Sequence, residues 1–251
     1  MAGYELNSSS AIIRYSLEEL QEISHYLLEK EDFKHPVTVL VGGWAVDSYN
    51  PWFGSVDIDL ITNSSTRQSL SYYLRDQRGF MPYRLTGLPT SVKKETEAGA
   101  IIIDFATKQK PFPFEGTDAD LDFNILEGNT ELREIRGGTE IAVPNRATLL
   151  VLKLKAIWDR SYRIEKQLSA DLEWETGKLI KDHADILALI DPEHGGNQID
   201  ISVLGKLMEK YPFLKESLIS VYNSNEGVEK YNRISYGDAR IIIDRTISLI
   251  S

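Results

Sequence analysis

Two short apolar runs, each patterned as a strand, restrict this chain more than any other feature. Val37-Thr-Val-Leu-Val41 is β-branched and ends in Gly42-Gly43, which reads as a buried strand entering a tight turn. Thirteen residues separate Gly43 from Asp57, in the run Ser55-Val-Asp57-Ile-Asp59-Leu-Ile-Thr62, a second strand whose acids alternate with apolar residues. Side chains at i and i+2 of a strand share a face, so Asp57 and Asp59 are expected side by side. Two carboxylates held that close repel unless a cation sits between them, and all-oxygen donors on a strand suit Mg²⁺. Gly42 and Gly43 leave room for an anion to reach the backbone, where N–H groups at the start of a following helix can cradle phosphate oxygens. A third acid, Asp104, lies in the apolar strand Ala100–Thr107. It is costly facing a core, and is accounted for if it faces the same metal site. Asp118, Asp120 and Asp122 also alternate, which makes Asp122 a rival third ligand. Asp104 is preferred because its strand is more apolar and nearer the first pair.

The rest of the chain sets these strands in an α+β frame. Ser16-Leu-Glu-Glu19 reads as a capping box opening a helix, with Leu17, Leu20, Ile23 and Leu27 at helical spacing. Residues 44–49 fit a short helix, and Thr66 to about Arg78 a longer one. PYRLT (82–86) and SVKKET (91–96) read as further strands. Residues 108–120 break all periodicity, carry two prolines and read as a long loop. After TEIAVPNRA the pattern turns helical: ATLLVLKLKAIWDR, ETGKLIKDHADILALID ended by Asp191-Pro192, then ISVLGKLMEKYPFLKESLISVYN and ARIIIDRTISLI. The expected organisation is a mixed-sheet domain over residues 1–143 and a helical domain over 144–251.

Composition narrows the function classes. With 42% hydrophobic and 26% charged residues the chain has an ordinary globular make-up, and it contains no apolar run long enough to span a membrane. There are no cysteines, which excludes disulfides and thiolate metal sites. The beginning MAGYELNSSSAIIRYSLEEL lacks the pattern of a secretory signal, so a cytoplasmic location is expected. A formal net charge of −10 gives no general basic footprint for nucleic acid. His25, His35, His183 and His194 have no metal-ligand spacing, and His183 reads as a residue of a polar helix face. Trp158, Trp174 and the loop lysines Lys108 and Lys110 read as core and solvent residues rather than ligand contacts.

The order Gly-Gly, then Asp-x-Asp flanked by apolar residues, resembles the nucleotidyltransferase fold of the DNA polymerase β superfamily. Val41-Gly42-Gly43-Trp44-Ala45-Val46-Asp47 is similar to the opening of aminoglycoside and lincosamide nucleotidyltransferases. Lys153-Leu154-Lys155-Ala156, Arg160, Lys181-Asp182 and Asp185 resemble helices of the abortive-infection type nucleotidyltransferase toxins. The resemblance implies two Mg²⁺ ions on Asp57, Asp59 and Asp104, with NTP phosphates against Gly42 and Gly43 and Asp104 as general base. It also implies a place near the nucleotide for Lys153 and Asp182. The implied reaction is transfer of a nucleoside monophosphate to an acceptor hydroxyl, first of all on a small molecule. A toxin-class enzyme acting on RNA or protein, or a non-catalytic nucleotide binder, are the alternatives. The antibiotic-modifying relatives usually carry basic residues ahead of the Asp-x-Asp strand, whereas this chain has Pro51-Trp-Phe-Gly-Ser55.

Overall fold

The structure, a computed structural model, describes residues 11–32, 34–83 and 91–250. It is an α+β protein that divides into two compact units, Met1–Pro111 with Asp122–Pro144, and Phe112–Leu121 with Asn145–Ser251. Among the described residues no helix is long and apolar enough to cross a membrane.

The first unit is built on a mixed sheet. Among the described residues it runs β1 (Val39–Val41), β2 (Ile58–Thr62), β5 (Gly99–Thr107), β4 (Ser91–Thr96), β3 (Met81–Tyr83), in that spatial order. β2 and β5 are parallel and the other neighbours antiparallel. Pro82 is tolerated because β3 is an edge strand, where the missing N–H leaves no ladder bond broken inside the sheet. Helix α1 (Ala11–Lys30) buries Ile13, Leu20, Ile23 and Leu27 at helical spacing. α2 (Gly42–Tyr49) follows β1 directly, and α3 (Ser64–Gln77) follows β2, its first turn closed by Asn63, which accepts from the Thr66 N–H at 2.7 Å. A hairpin of β8 (Thr130–Ile135) and β9 (Thr139–Pro144) packs on α1, α2 and β1.

Several sequence expectations need correcting here. Ser16 and Glu19 do not open α1, which is already helical from Ala11 because its apolar stripe continues back through Ile12 and Ile13. Both residues are buried instead. Ser16 Oγ accepts from the Trp44 indole at 3.0 Å, and Glu19 pairs with Arg78 and Lys94. The Asp-x-Asp strand starts at Ile58 rather than Ser55, so Asp57 precedes it. In PYRLT, Tyr83 ends β3 and residues 84–86 lie outside the described residues. β8 went unread because its core-facing alternation is weak, with only Ile135 fully buried.

The second unit is helical: α4 (Arg146–Glu165), α5 (Leu172–Ile190), α6 (Ile201–Lys210), α7 (Leu214–Asn223), α8 (Asn225–Tyr231) and α9 (Tyr236–Leu249). α5 is buried continuously from Asp182 to Ile190 and packs on α4, α7, α8 and α9. The helical stretch read over 201–223 forms two helices, because Pro212 disfavours helical geometry at Tyr211, which sits at φ −130° and ψ 66°. The loop expected at 108–120 contains a small hairpin, β6 (Phe112–Pro113) and β7 (Asp120–Leu121), that belongs to the helices. Lys155 donates to the Pro113 carbonyl at 2.8 Å, Trp158 to that of Glu115 at 2.9 Å, and Tyr211 to that of Asp120 at 3.0 Å. Phe114 packs against Tyr211 and Phe213. His183 is buried, not on a polar face.

Candidate active site

The acids of the sheet unit form a row across it. Val41 is the register partner of Asp59, Asp59 of Asp104, Asp104 of Ser91, and Ser91 of Tyr83. Residues directly opposite one another on neighbouring strands present side chains to the same face, so Asp59, Asp104 and Ser91 share one face. Asp59 and Asp104 are half-buried, and Ser91 is fully buried. The Ser91 hydroxyl donates to Asp104 Oδ1 at 2.5 Å. Asp57 lies just ahead of β2, so strand alternation no longer fixes its direction. Asp122 stands apart from this row. It caps the turn Phe123–Leu126, accepting from Asn124 N at 2.9 Å and Asn124 Nδ2 at 3.1 Å.

Gly42 lies directly against Asp59. Its φ is +69°, and a β-carbon at this position would lie 1.9 Å from Asp59 Oδ2. The turn from β1 into α2 therefore requires glycine both for its backbone and for the approach of the carboxylate. Val41, the residue before α2, supplies no side-chain cap.

Asp47, in the same helix, has a different task. It is 1% exposed, accepts from Gly54 N at 2.9 Å and Trp52 N at 3.2 Å, and forms a two-pronged ion pair with Arg136 at 2.6 and 2.7 Å. It thereby anchors the 51–55 loop that delivers Asp57. The donors around the row are hard oxygens beside an open glycine backbone, a set that fits Mg²⁺. Among the described residues, no three His, Asp or Glu side chains gather closely enough to hold a metal ion.

Lys153 and Asp182 lie in the helical unit and are bound to each other. Lys153 Nζ is 2.9 Å from Asp182 and 2.6 Å from Asp185, Arg160 reaches Asp182 at 2.8 Å, and Lys181 reaches Asp185 at 2.9 Å. Glu175 joins Arg160 and Arg163. Burial alone would lower the Lys153 ammonium, but Asp182 and Asp185 outweigh it and hold it above the ordinary lysine value. Burial likewise works to raise Asp182, and Lys153 with Arg160 overcomes it, keeping the group ionised. At Lys181 burial wins over Asp185 and lowers the ammonium. Lys108 is half-buried and donates to the Pro36 carbonyl at 3.2 Å, while Lys110 is exposed.

Sequence reasoning missed Ser91 and the Asp47–Arg136 pair. Ser91 had a usable signal, because a hairpin turning between Thr96 and Gly99 pairs residue 91 with 104 by simple counting. Arg136 is 89 positions from Asp47 and had none.

No protein-family model and no curated protein matches the chain. Among solved structures, the lincosamide antibiotic adenylyltransferase LnuA, crystallised with lincomycin bound, is similar at 18% identity over 74% of this chain and 99% of its own, with a TM-score of 0.39. A likeness at that level carries no functional weight.

Proposed function

We propose that this chain is a metal-dependent nucleotidyltransferase that moves a nucleoside monophosphate from an NTP to a hydroxyl of a small-molecule acceptor. The observation that carries the reading is the row of Asp59 and Asp104 on one face, with the Asp59 carboxylate set against the α-carbon of Gly42. Asp57, Asp59 and Asp104 would hold the cations, two Mg²⁺ ions, whose charge when bound stabilises the entering and leaving oxygens. The amides of Gly42 and Gly43 take phosphate oxygens at the start of α2. Asp104 accepts the acceptor's hydroxyl proton as that oxygen bonds to the α-phosphorus. The bond from the α-phosphorus to the bridging oxygen breaks, and pyrophosphate leaves. For Lys153 and Asp182 a nucleotide contact is harder to support. Lys153 would have to leave two carboxylates, and the closed network favours a role in shaping the helical unit.

The test is a thermal melt of wild type and of Asp57→Asn/Asp59→Asn, with MgATP, MgCTP or either NTP in EDTA, alongside transfer from labelled NTP. Amides nearly match carboxylates in volume, so the circular dichroism should not change. Stabilisation by NTP should require Mg²⁺ in the wild type and vanish in the variant, and transfer should fall at least roughly a hundredfold. Equal stabilisation in EDTA and Mg²⁺, with the variant indistinguishable from wild type, would leave the metal-site reading without support.

A further inference from the structure

We infer that Ser91 is a positioning residue whose hydroxyl sets the plane of the Asp104 carboxylate for metal binding, an inference that rests on the metal-site reading above. An aspartate's terminal torsion is broad, so a strand can fix where the carboxyl group stands without fixing how it is turned. A donor that is itself immobile supplies the missing constraint. Ser91 meets that requirement because its backbone is paired on both sides, with Tyr83 of β3 and Asp104 of β4's other neighbour β5, and its side chain is fully buried. The Ser91 hydroxyl donates to Asp104 Oδ1 at 2.5 Å.

A hydroxyl in so enclosed a position is unfavourable unless it is bonded, and an apolar side chain would pack there without that demand. The position is therefore explained by what it does for Asp104. Asp59 is Asp104's register partner on the side away from β4, so Ser91 holds one Asp104 oxygen from the side opposite the ligand proposed to be shared with Asp59. Groups that orient a ligating carboxylate commonly change metal affinity by 10–100-fold when removed.

The experiment measures binding of Mn²⁺ alone to the full chain, by electron paramagnetic resonance of the free ion, for wild type, Ser91→Ala, Ser91→Thr and Asp59→Asn. Metal-free circular dichroism and melting are recorded for each. Ser91→Ala should weaken Mn²⁺ binding about tenfold with the metal-free spectrum retained, and Ser91→Thr, which keeps the hydroxyl, should recover most of it. A hydroxyl that serves only the fold predicts a lowered melting temperature at unchanged Mn²⁺ affinity. That result, with Asp59→Asn still weakening Mn²⁺, overturns the role of Ser91 and leaves the metal site standing. Mn²⁺ binding indifferent to Asp59→Asn as well overturns both.

Discussion

A methyl group at position 42 meets two obstacles, a backbone φ of +69° and the Asp59 carboxylate, whose Oδ2 would lie 1.9 Å from the new carbon. The first costs about 1–3 kcal/mol for a residue with a side chain. The second can be relieved only if the carboxylate swings away. Gly42→Ala should therefore lower the melting temperature and also abolish Mg²⁺-dependent stabilisation by NTP, although every acid of the row is still present. Differential scanning fluorimetry with and without MgATP reads both, and retained MgATP stabilisation in a folded Gly42→Ala protein would show that Asp59's present position is not the binding one. At this scale the glycines, Asp59 and Asp104 were legible, because a glycine pair after a β-branched run and acids in apolar strands are visible in single segments. Asp57 was read with more regularity than it has, since alternation was extended to a residue that precedes β2. Ser91 and Asp47 act through partners on other elements; pairing register reveals the first, and nothing in the sequence links Asp47 to Arg136.

Between elements, the charged network joining α4 to α5 has consequences that its surface-like residue types hide. Lys153 is 7% exposed, Asp182 6% and Asp185 0%. Taking the ammonium away leaves two buried carboxylates, with Asp182 still facing Arg160 and Asp185 still facing Lys181. Breaking such a buried group by one partner typically destabilises by about 3–5 kcal/mol. Lys153→Met should do so in urea denaturation, and adding Asp185→Asn should recover part of the loss, because the orphaned charge is removed. Strictly additive effects of the two changes would mean that the pair is not coupled. Helix periodicity made α4 and α5 readable but not the burial of these charges, since spacing says which residues align and not what covers them. The same blindness produced the false start at Ser16, where a good capping sequence is overruled by burial against Trp44.

For the whole molecule, acid changes stability through several groups, and the net charge and His183 act in opposite directions. The net charge of −10 means that moderate acidification relieves self-repulsion and should by itself favour the folded state. His183 works the other way. It is 6% exposed where α5 meets α7 and α8, with Nε2 3.2 Å from Ser220 Oγ, Gly227 against its β-carbon, and Nδ1 buried with no hydrogen-bond partner among the described residues. Burial pushes its pKa down to about 4, the neighbouring Asp182 only partly opposing this. An unfolded chain titrates this histidine near 6.5, so between pH 6.5 and 4 the unfolded state binds the extra proton. The stability held by the neutral ring is complete above the unfolded value and is lost as pH falls through this window to the folded one, about 3 kcal/mol in all. Diffuse charge relief is shared by every variant of similar charge, whereas the histidine contribution is local and removable. Denaturant unfolding of wild type and His183→Gln at steps from pH 8 to pH 4 should therefore give curves that run parallel above about pH 6.5 and converge below it, the glutamine protein losing less. Curves that stay parallel down to pH 4 would show that His183 is protonated at no penalty in the fold, and that acid sensitivity belongs to the carboxylates alone.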